Sequence, residues 1–215
     1  SSKKPDCGFM VDLRRRIAKL MQSGGKKAAA QRAAMTIQKE GAAQVPVIGT
    51  PNSGKSSIVN ALTNASPTVA EYPFTTYTIL PGMMEYENIQ IQLLDTPPLV
   101  PGSTLALLPP NLVRADALLI VIDLSEDPLS QMETITSELT GMRIGTGKTE
   151  DESDEEEIIR HNKKAMVIGN KIDSPGAAEN YEVLEELYRD DFPILSISAA
   201  RGTGLEELKL AIFRL

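Results

Sequence analysis

The residues whose types and spacing most clearly indicate chemistry lie in the segment GTPNSGKS, Gly49 to Ser56, which matches G-x-x-x-x-G-K-[ST]. A strand-like run, VPVIG, precedes it and a helical pattern follows, as a phosphate-binding loop requires. Glycines let the backbone approach phosphate, and exposed N–H groups at a helix start favour negative charge. Lys55 is predicted to reach the outer phosphates and Ser56 to offer its hydroxyl to Mg²⁺. A chance match in a glycine-rich loop is the alternative, and the flanking elements argue against it.

Asn52, in the same loop, has two interpretations. Its amide oxygen could bind a monovalent cation such as K⁺ beside the phosphates. Alternatively, asparagine is present because it tolerates turn geometry. Both interpretations stay open from the sequence.

Two later motifs indicate the base that accompanies the phosphates. NKID, Asn170 to Asp173, follows the apolar run AMVIG, at the carboxyl end of a strand, where open α/β sheets present ligand groups. The carboxylate of Asp173 can accept hydrogen bonds from the guanine N1–H and 2-amino group, which adenine does not offer in that arrangement. Asn170 and Lys171 are expected to brace the loop and pack along the ring. Downstream, SAARGTG offers backbone N–H groups, chiefly near Ala199, to the guanine O6.

The order and spacing of GTPNSGKS, DTP, NKID and SAA resemble those of the translation-factor-related GTPases, over roughly residues 44–215. More narrowly, PTVAEYPFTT, Pro67 to Thr76, resembles the first switch of the Obg and DRG families. The resemblance implies that Thr76 binds Mg²⁺ when GTP is present, with Phe74 and Thr75 beside it, and Thr75 is the alternative ligand. It also implies that Asp95 of DTP holds Mg²⁺ through water. GTP or GDP and Mg²⁺ are therefore the expected ligands.

The predicted site residues form three overlapping sets. Those for the nucleotide are Gly49, Pro51, Asn52, Ser53, Gly54, Lys55, Ser56, Ser57, Phe74, Thr75, Thr76, Asp95, Asn170, Lys171, Asp173, Ser198, Ala199 and Ala200; those for the metal are Ser56, Thr76 and Asp95; those for catalysis are Lys55 and Thr76.

The chain departs from the family pattern after Asp95. The family's D-x-x-G motif, its second switch, would place glycine at position 98, where this chain has Pro98. Proline has no N–H and cannot donate the backbone hydrogen bond by which that glycine senses the γ-phosphate. Position 99 is leucine, so the usual glutamine or histidine that orients water is absent there. His161 is interpreted as a surface residue, because nothing places it near phosphate.

Six apolar strand-like runs alternate with helical patterns from Gln44 onward: VPVIG, TILPGMMEY, IQIQLLD, ALLIVID, AMVIG and ILSIS. Strands that are apolar on both faces and alternate with helices indicate a mostly parallel sheet covered on both sides. The short interval around Glu87 and Asn88 predicts a hairpin and one antiparallel edge strand. The expected fold is an α/β P-loop GTPase domain with a six-stranded sheet over residues 44–215.

Residues 1–43 are predicted to form a separate basic helical hairpin, with a second helix over about residues 26–40 and a stop at Gly41. Residues 1–40 carry a formal charge of +7 and the remainder −14. Such an arm could contact RNA or ribosome phosphates, or it could be an ordinary solvated helix surface. Residues 149–157, TEDESDEEE, are interpreted as a solvated acidic loop without chemistry.

Other features of the sequence limit the remaining function classes. No apolar run reaches the length that a bilayer span needs, and no signal peptide is evident, so no membrane partner and a cytoplasmic location are expected. A single cysteine and a single histidine disfavour structural zinc. The oligomeric state is not predicted.

These features predict a Mg²⁺-dependent GTP-binding switch with slow GTP hydrolysis, linked to the ribosome or RNA. Two alternatives remain open: a guanine-nucleotide-binding module without turnover, favoured by Pro98, and an RNA- or ribosome-binding protein dominated by the basic hairpin.

Overall fold

The computed structural model describes residue 30 and residues 33–63, 78–102, 105–147 and 161–215. The chain divides between Thr36 and Ile37 into two units, and the second, Ile37–Leu215, carries the fold described below. The predicted first switch, the acidic run and most of the predicted basic hairpin lie outside the described residues. The domain division at residues 43 and 44 stays a prediction.

Seven strands and five helices make up the described part of the second unit. The strands are β1 (Ala43–Gly49), β2 (Leu80–Tyr86), β3 (Ile89–Asp95), β4 (Ala117–Asp123), β5 (Ile144–Thr146), β6 (His161–Asn170) and β7 (Ile194–Ser196); the helices are α1 (Lys55–Leu62), α2 (Leu108–Arg114), α3 (Pro128–Gly141), α4 (Ala177–Tyr188) and α5 (Leu205–Arg214).

These strands form one mixed sheet in the order β2, β3, β1, β4, β6, and both β5 and β7 pair with β6. The β2–β3 pair is antiparallel and every other pair is parallel. Glu87 and Asn88 join β2 to β3 with φ of 46° and 65°, as a tight two-residue hairpin needs. The predicted mostly parallel sheet with one antiparallel edge strand is therefore confirmed.

All six predicted strands are present, and the short strand β5 is an addition. Its three residues pair in parallel with His161–Lys163, at the amino end of β6. A three-residue strand is too short for hydrophobic periodicity to reveal, which is why the sequence did not predict it.

Helices cover both faces of the sheet. Ile58 of α1 and Leu208 of α5 share one buried cluster with alternate sheet residues such as Val47 and Val121. All seven residues of β4 are buried, and α3 contacts this strand. The apolar character of β4 on both faces therefore reflects burial between two helical layers. Within the described ranges, no helix is long and apolar enough to cross a bilayer.

Residues 37–40 are not helical, so the prediction of a helix reaching Glu40 is wrong. Their backbone instead bonds to two buried side chains at the amino end of the sheet. Gln44 Nε2 donates to the carbonyl of Ile37 at 3.4 Å, and Gln92 Oε1 accepts from the N–H of Glu40 at 3.3 Å. The two amides also bond to each other at 2.8 Å. A helix through Glu40 would leave these buried amide groups without those bonds.

We expect the substitution Gln92→Leu to lower the free energy of unfolding by about 2 kcal/mol, because it leaves buried partners unsatisfied. The side chain is 2% exposed, and its loss removes the bonds to Gln44 and Glu40. Urea unfolding followed by circular dichroism would measure the change.

The matched control is Gln90→Leu, since Gln90 lies on the same strand and bonds to Glu85 at the exposed surface. We expect this variant to remain within about 0.5 kcal/mol of the natural chain. Equal losses in the two variants would contradict a stabilising role for the buried amide pair.

Candidate functional site

The carboxyl ends of β1, β3, β4 and β6 meet at one edge of the sheet, and three of these strands end in a predicted motif. Gly49 ends β1, Asp95 ends β3 and Asn170 ends β6. In the sheet register, Asp95 lies opposite Val47 of β1, and Asn170 lies opposite Asp123 of β4. The parallel register therefore brings three motifs that are distant in sequence to one edge.

The phosphate loop turns tightly between β1 and α1. Asn52 has φ of 61° and Gly54 has φ of 93°, both in the left-handed region. A Cβ at Gly54 would lie 2.2 Å from Nδ2 of Asn170, so only glycine fits at this close approach. Ser53 is buried and its hydroxyl donates to the carbonyl of Thr50 at 2.9 Å.

Lys55 is buried and folded back over the loop. Its Nζ donates to the carbonyl of Gly49 at 3.2 Å and to that of Thr50 at 3.0 Å. Burial lowers the pKa of Lys55 to about 8, and the negative charge of Asp95 acts in the opposite direction. The ammonium thus lies at the loop with two neutral carbonyls as partners, where an anionic ligand would favour its charged form.

The amino end of α1 is open towards solvent. Gly54 is its N-cap and supplies no side-chain hydrogen bond, and Ser56 and Ser57 in the first turn are exposed. The N–H groups of this turn and the helix dipole therefore favour an anion such as phosphate.

Asp95 and Ser56 provide two hard oxygen groups beside this helix start. Burial raises the pKa of Asp95, while a hydrogen bond from the Ser56 hydroxyl and the charge of Lys55 act to lower it. A hydroxyl and a carboxylate in contact fit Mg²⁺, which takes few protein ligands and completes its shell with water and phosphate.

A cavity of about 490 Å³ lies in front of these groups. Its lining joins the phosphate loop and α1 to Thr96, Pro98 and Lys171. Pro98 therefore borders the cavity, whereas the side chain of Leu99 is buried away from solvent. The N–H of Leu99 donates to the carbonyl of Gly49 at 2.9 Å, which ties the second switch to the phosphate loop.

Asn170 connects the phosphate loop to the predicted base-binding loops. Its Nδ2 donates to the carbonyl of Ser53 at 3.0 Å, and its Oδ1 accepts from the N–H of Ala199 at 3.1 Å. The Ala199 N–H, which the sequence assigns to the guanine O6, is thus bonded within the protein, and a base would take or share it. Ala200 follows at the exposed surface.

Asp173 lies beside the SAARGTG segment. Hydrogen bonds from the Ser198 hydroxyl and then from Arg201 lower the pKa of Asp173. Arg201 Nε lies 3.1 Å from Asp173 Oδ2, an ion pair that the sequence did not predict. The carboxylate is thus ionised and partly exposed, as an acceptor for two guanine donors requires.

The remaining predictions concern the first switch and His161. Phe74, Thr75 and Thr76 lie outside the described residues, so their place in the site stays a prediction. His161 begins β6 and is exposed, as expected of a surface residue. A larger, mostly apolar cavity of about 780 Å³ lies between β6, β7 and α5 and contains none of the predicted site residues.

Comparison with known proteins identifies the family. Residues 44–171 match the family model described as 50S ribosome-binding GTPase. The chain is 33% identical over 179 residues to GTPase Obg of Desulfitobacterium hafniense, covering 79% of this chain and 39% of that protein. It is 30% identical over 187 residues to mitochondrial ribosome-associated GTPase 2 of Pongo abelii, covering 84% and 42%. The chain thus spans about two fifths of the length of these curated relatives.

Solved structures show the same fold. The G domain of the T. maritima FeoB iron transporter superimposes with a TM-score of 0.58 at 26% identity, covering 80% of this chain and 97% of that one. Era, in complex with MgGDPNP and a segment of 16S ribosomal RNA, gives a TM-score of 0.60 at 25% identity, covering 82% and 57%.

The family model spans more than half of the chain, and the curated relatives include Obg proteins. The Obg/DRG-like resemblance of the motifs is therefore confirmed, and the chain belongs to the family of 50S ribosome-binding GTPases.

Proposed function

We propose that this chain is a Mg²⁺-dependent guanine-nucleotide switch that hydrolyses GTP slowly and acts with the ribosome or RNA. The observation that carries the proposal is the Asn170 amide, which joins the phosphate loop to the loop that follows β7. A nucleotide that places its phosphates at Lys55 and its base at Asp173 would span the two loops. Family membership supports guanine as the base.

Each group in the cleft has a role in this proposal. Lys55 would exchange its two carbonyl partners for phosphate oxygens, and the N–H groups at the start of α1 would bind the same phosphates. Ser56, Asp95 and Thr76 would hold Mg²⁺, which neutralises charge on the outer phosphates when bound. Lys171 lines the cavity of about 490 Å³ in front of the phosphate loop and would pack along the base.

We propose slow hydrolysis because the residue after the second-switch motif is Leu99. Leu99 is buried and apolar, so no polar side chain at this position can orient the attacking water. Lys55 and Thr76 would stabilise the transferred phosphoryl group, and a partner or a monovalent cation would supply further charge. Asn52 is exposed and its K⁺ site stays a prediction; its left-handed φ also accounts for an asparagine at this turn.

The ribosomal link is supported by the matched proteins. One curated relative is named ribosome-associated, and the Era structure contains ribosomal RNA. We infer that this chain likewise acts with RNA or the ribosome, and that the basic residues 1–43 supply phosphate contacts. A cytoplasmic location is proposed from the sequence alone.

A second candidate is a guanine-nucleotide-binding module without turnover. Pro97 and Pro98 have no N–H, and the N–H of the next residue, Leu99, is already bonded to Gly49. The backbone of this stretch therefore offers no free donor to a γ-phosphate, which favours weak discrimination between GTP and GDP.

We expect Lys55→Ala to weaken GDP binding at least about a hundredfold, because charge-assisted hydrogen bonds to the phosphates are lost. Titration of a fluorescent GDP analogue would measure the affinity, with unfolding monitored because Lys55 also bonds to two loop carbonyls. Lys209→Ala on α5, where the lysine pairs with Glu206, is the matched control and should bind normally. Undiminished binding by folded Lys55→Ala would refute the site.

The substitution Asp173→Asn should change base preference from guanine towards xanthine. An amide can donate to the 2-carbonyl of xanthine, whereas it cannot accept two hydrogen bonds from guanine as a carboxylate does. Competition between GDP and XDP would measure the preference, and Asp190→Asn at the exposed surface is the control. An unaltered preference would place the base elsewhere.

Restoring the backbone donor with Pro98→Gly should raise the affinity for a non-hydrolysable GTP analogue over GDP by about tenfold, the effect of one hydrogen bond to a charged group. Pro101→Gly, at an exposed turn nearby, controls for the loss of proline rigidity. No change in the ratio would mean that the chain senses the γ-phosphate through another group.

A further inference from the structure

Gln131 lies on α3, outside every motif, and is 9% exposed. Its Oε1 accepts hydrogen bonds from the backbone N–H of Asp123 at 2.9 Å and from the hydroxyl of Thr50 at 3.2 Å. Its Nε2 donates to the carbonyls of Asp123 at 2.8 Å and Asp127 at 3.1 Å. One side chain therefore uses both ends of its amide to join the end of β4 to the phosphate loop.

On the phosphate-loop side, the contact fixes the residue that positions Lys55. The Thr50 carbonyl accepts from Lys55 Nζ at 3.0 Å and from the Ser53 hydroxyl at 2.9 Å. Because the Thr50 hydroxyl bonds to Gln131, the direction of that carbonyl depends on α3. Displacement of Thr50 would move the Lys55 ammonium, which would face the phosphates of a bound nucleotide.

On the other side, the contact fixes the residue that positions Lys171. Asp123 Oδ2 lies 2.5 Å from Lys171 Nζ, and the carboxylate is 7% exposed. Burial alone would raise the pKa of Asp123, yet hydrogen bonds from Lys171 and Ser125 hold it below its usual value. Lys171 has φ of 66°, an uncommon conformation for lysine that needs such contacts to persist.

We propose that Gln131 is a positioning residue for nucleotide binding, which holds Lys55 through Thr50 and Lys171 through Asp123 at a fixed separation. This inference rests on the proposed function, since it assumes that both lysines contact one nucleotide. A ligand that contacts both lysines then binds two groups that are already ordered. This lowers the entropy that is lost on binding. Loss of the contact should appear chiefly as faster dissociation.

The same bonds also join α3 to β4, so a purely structural role has to be separated from positioning. Thr50→Val removes the hydroxyl alone and leaves the Gln131 bonds to Asp123 and Asp127 in place. Gln131→Met removes the amide and keeps most of the side-chain volume. If Thr50 acts through Gln131, the double variant should behave as Gln131→Met does.

The test uses the full chain with Mg²⁺ and a fluorescent GDP analogue, with dissociation rates and thermal unfolding measured on each variant. We expect Thr50→Val to speed dissociation about three- to tenfold, Gln131→Met to speed it at least as much, and the double variant to match Gln131→Met. Thr134→Val is the control, since this partly exposed threonine of α3 bonds only along its own helix in the described contacts. It should leave dissociation unchanged.

Multiplicative effects in the double variant, or an unchanged dissociation rate in Thr50→Val, would overturn the proposal. If Gln131→Met does not fold, the dissociation rate of Thr50→Val compared with that of Thr134→Val still tests the proposal. Failure of the proposed function would look different, because the natural chain would then show no GDP binding that depends on Lys55.

Discussion

The nucleotide cleft depends on the buried side-chain amide of Asn170. It donates to Ser53 in the phosphate loop and accepts from Ala199 in the loop after β7, so both ends of the amide are used. Gly54 permits this approach, because a side chain there would meet the amide nitrogen. Two loops separated by more than a hundred residues are therefore held at a fixed distance before any ligand arrives.

Buried glutamines serve the same purpose at both ends of the sheet. Gln44 and Gln92 hold residues 37–40 at the amino end, and Gln131 joins β4 to the phosphate loop at the carboxyl end. An uncharged amide both donates and accepts, so it can satisfy loop backbone groups without the desolvation cost of a buried ion pair. The polar contacts that order the loops are thus compatible with an otherwise apolar core.

The second switch has a restricted backbone and is bonded to the phosphate loop. Pro97 and Pro98 restrict the backbone after Thr96, and Leu99 anchors the segment to Gly49 through its N–H while burying its side chain. The hydroxyl of Thr96 also donates to the carbonyl of Val47 at 2.7 Å. A segment with these contacts has fewer free donors for a γ-phosphate than a glycine-containing switch.

Much of the fold could be predicted from the sequence. Apolar runs of strand length between helical patterns predicted the parallel sheet, and the GTPNSGKS and NKID motifs predicted which strand ends carry the candidate site, because these signals are local. The strand β5 was too short for its pattern to show. The helix predicted through Glu40 does not form, because residues 37–40 bond instead to Gln44 and to Gln92, which lies 52 residues from Glu40. Local propensity cannot anticipate such partners.

The candidate site, like the fold, could be predicted only in part from the sequence. Contiguous motifs predicted Lys55 and Asp173 as site residues, and the resemblance to the translation-factor-related GTPases added Asp95. Arg201 lay within the quoted SAARGTG segment, but only the fold shows its contact with Asp173. Gln131 carried no sequence signal at all, because its partners Asp123 and Thr50 lie 8 and 81 residues away and meet it only when α3 packs beside β4. The sequence by itself thus determined the chemical groups, and the tertiary structure decided which groups hold them in place, because packing alone brings those partners together.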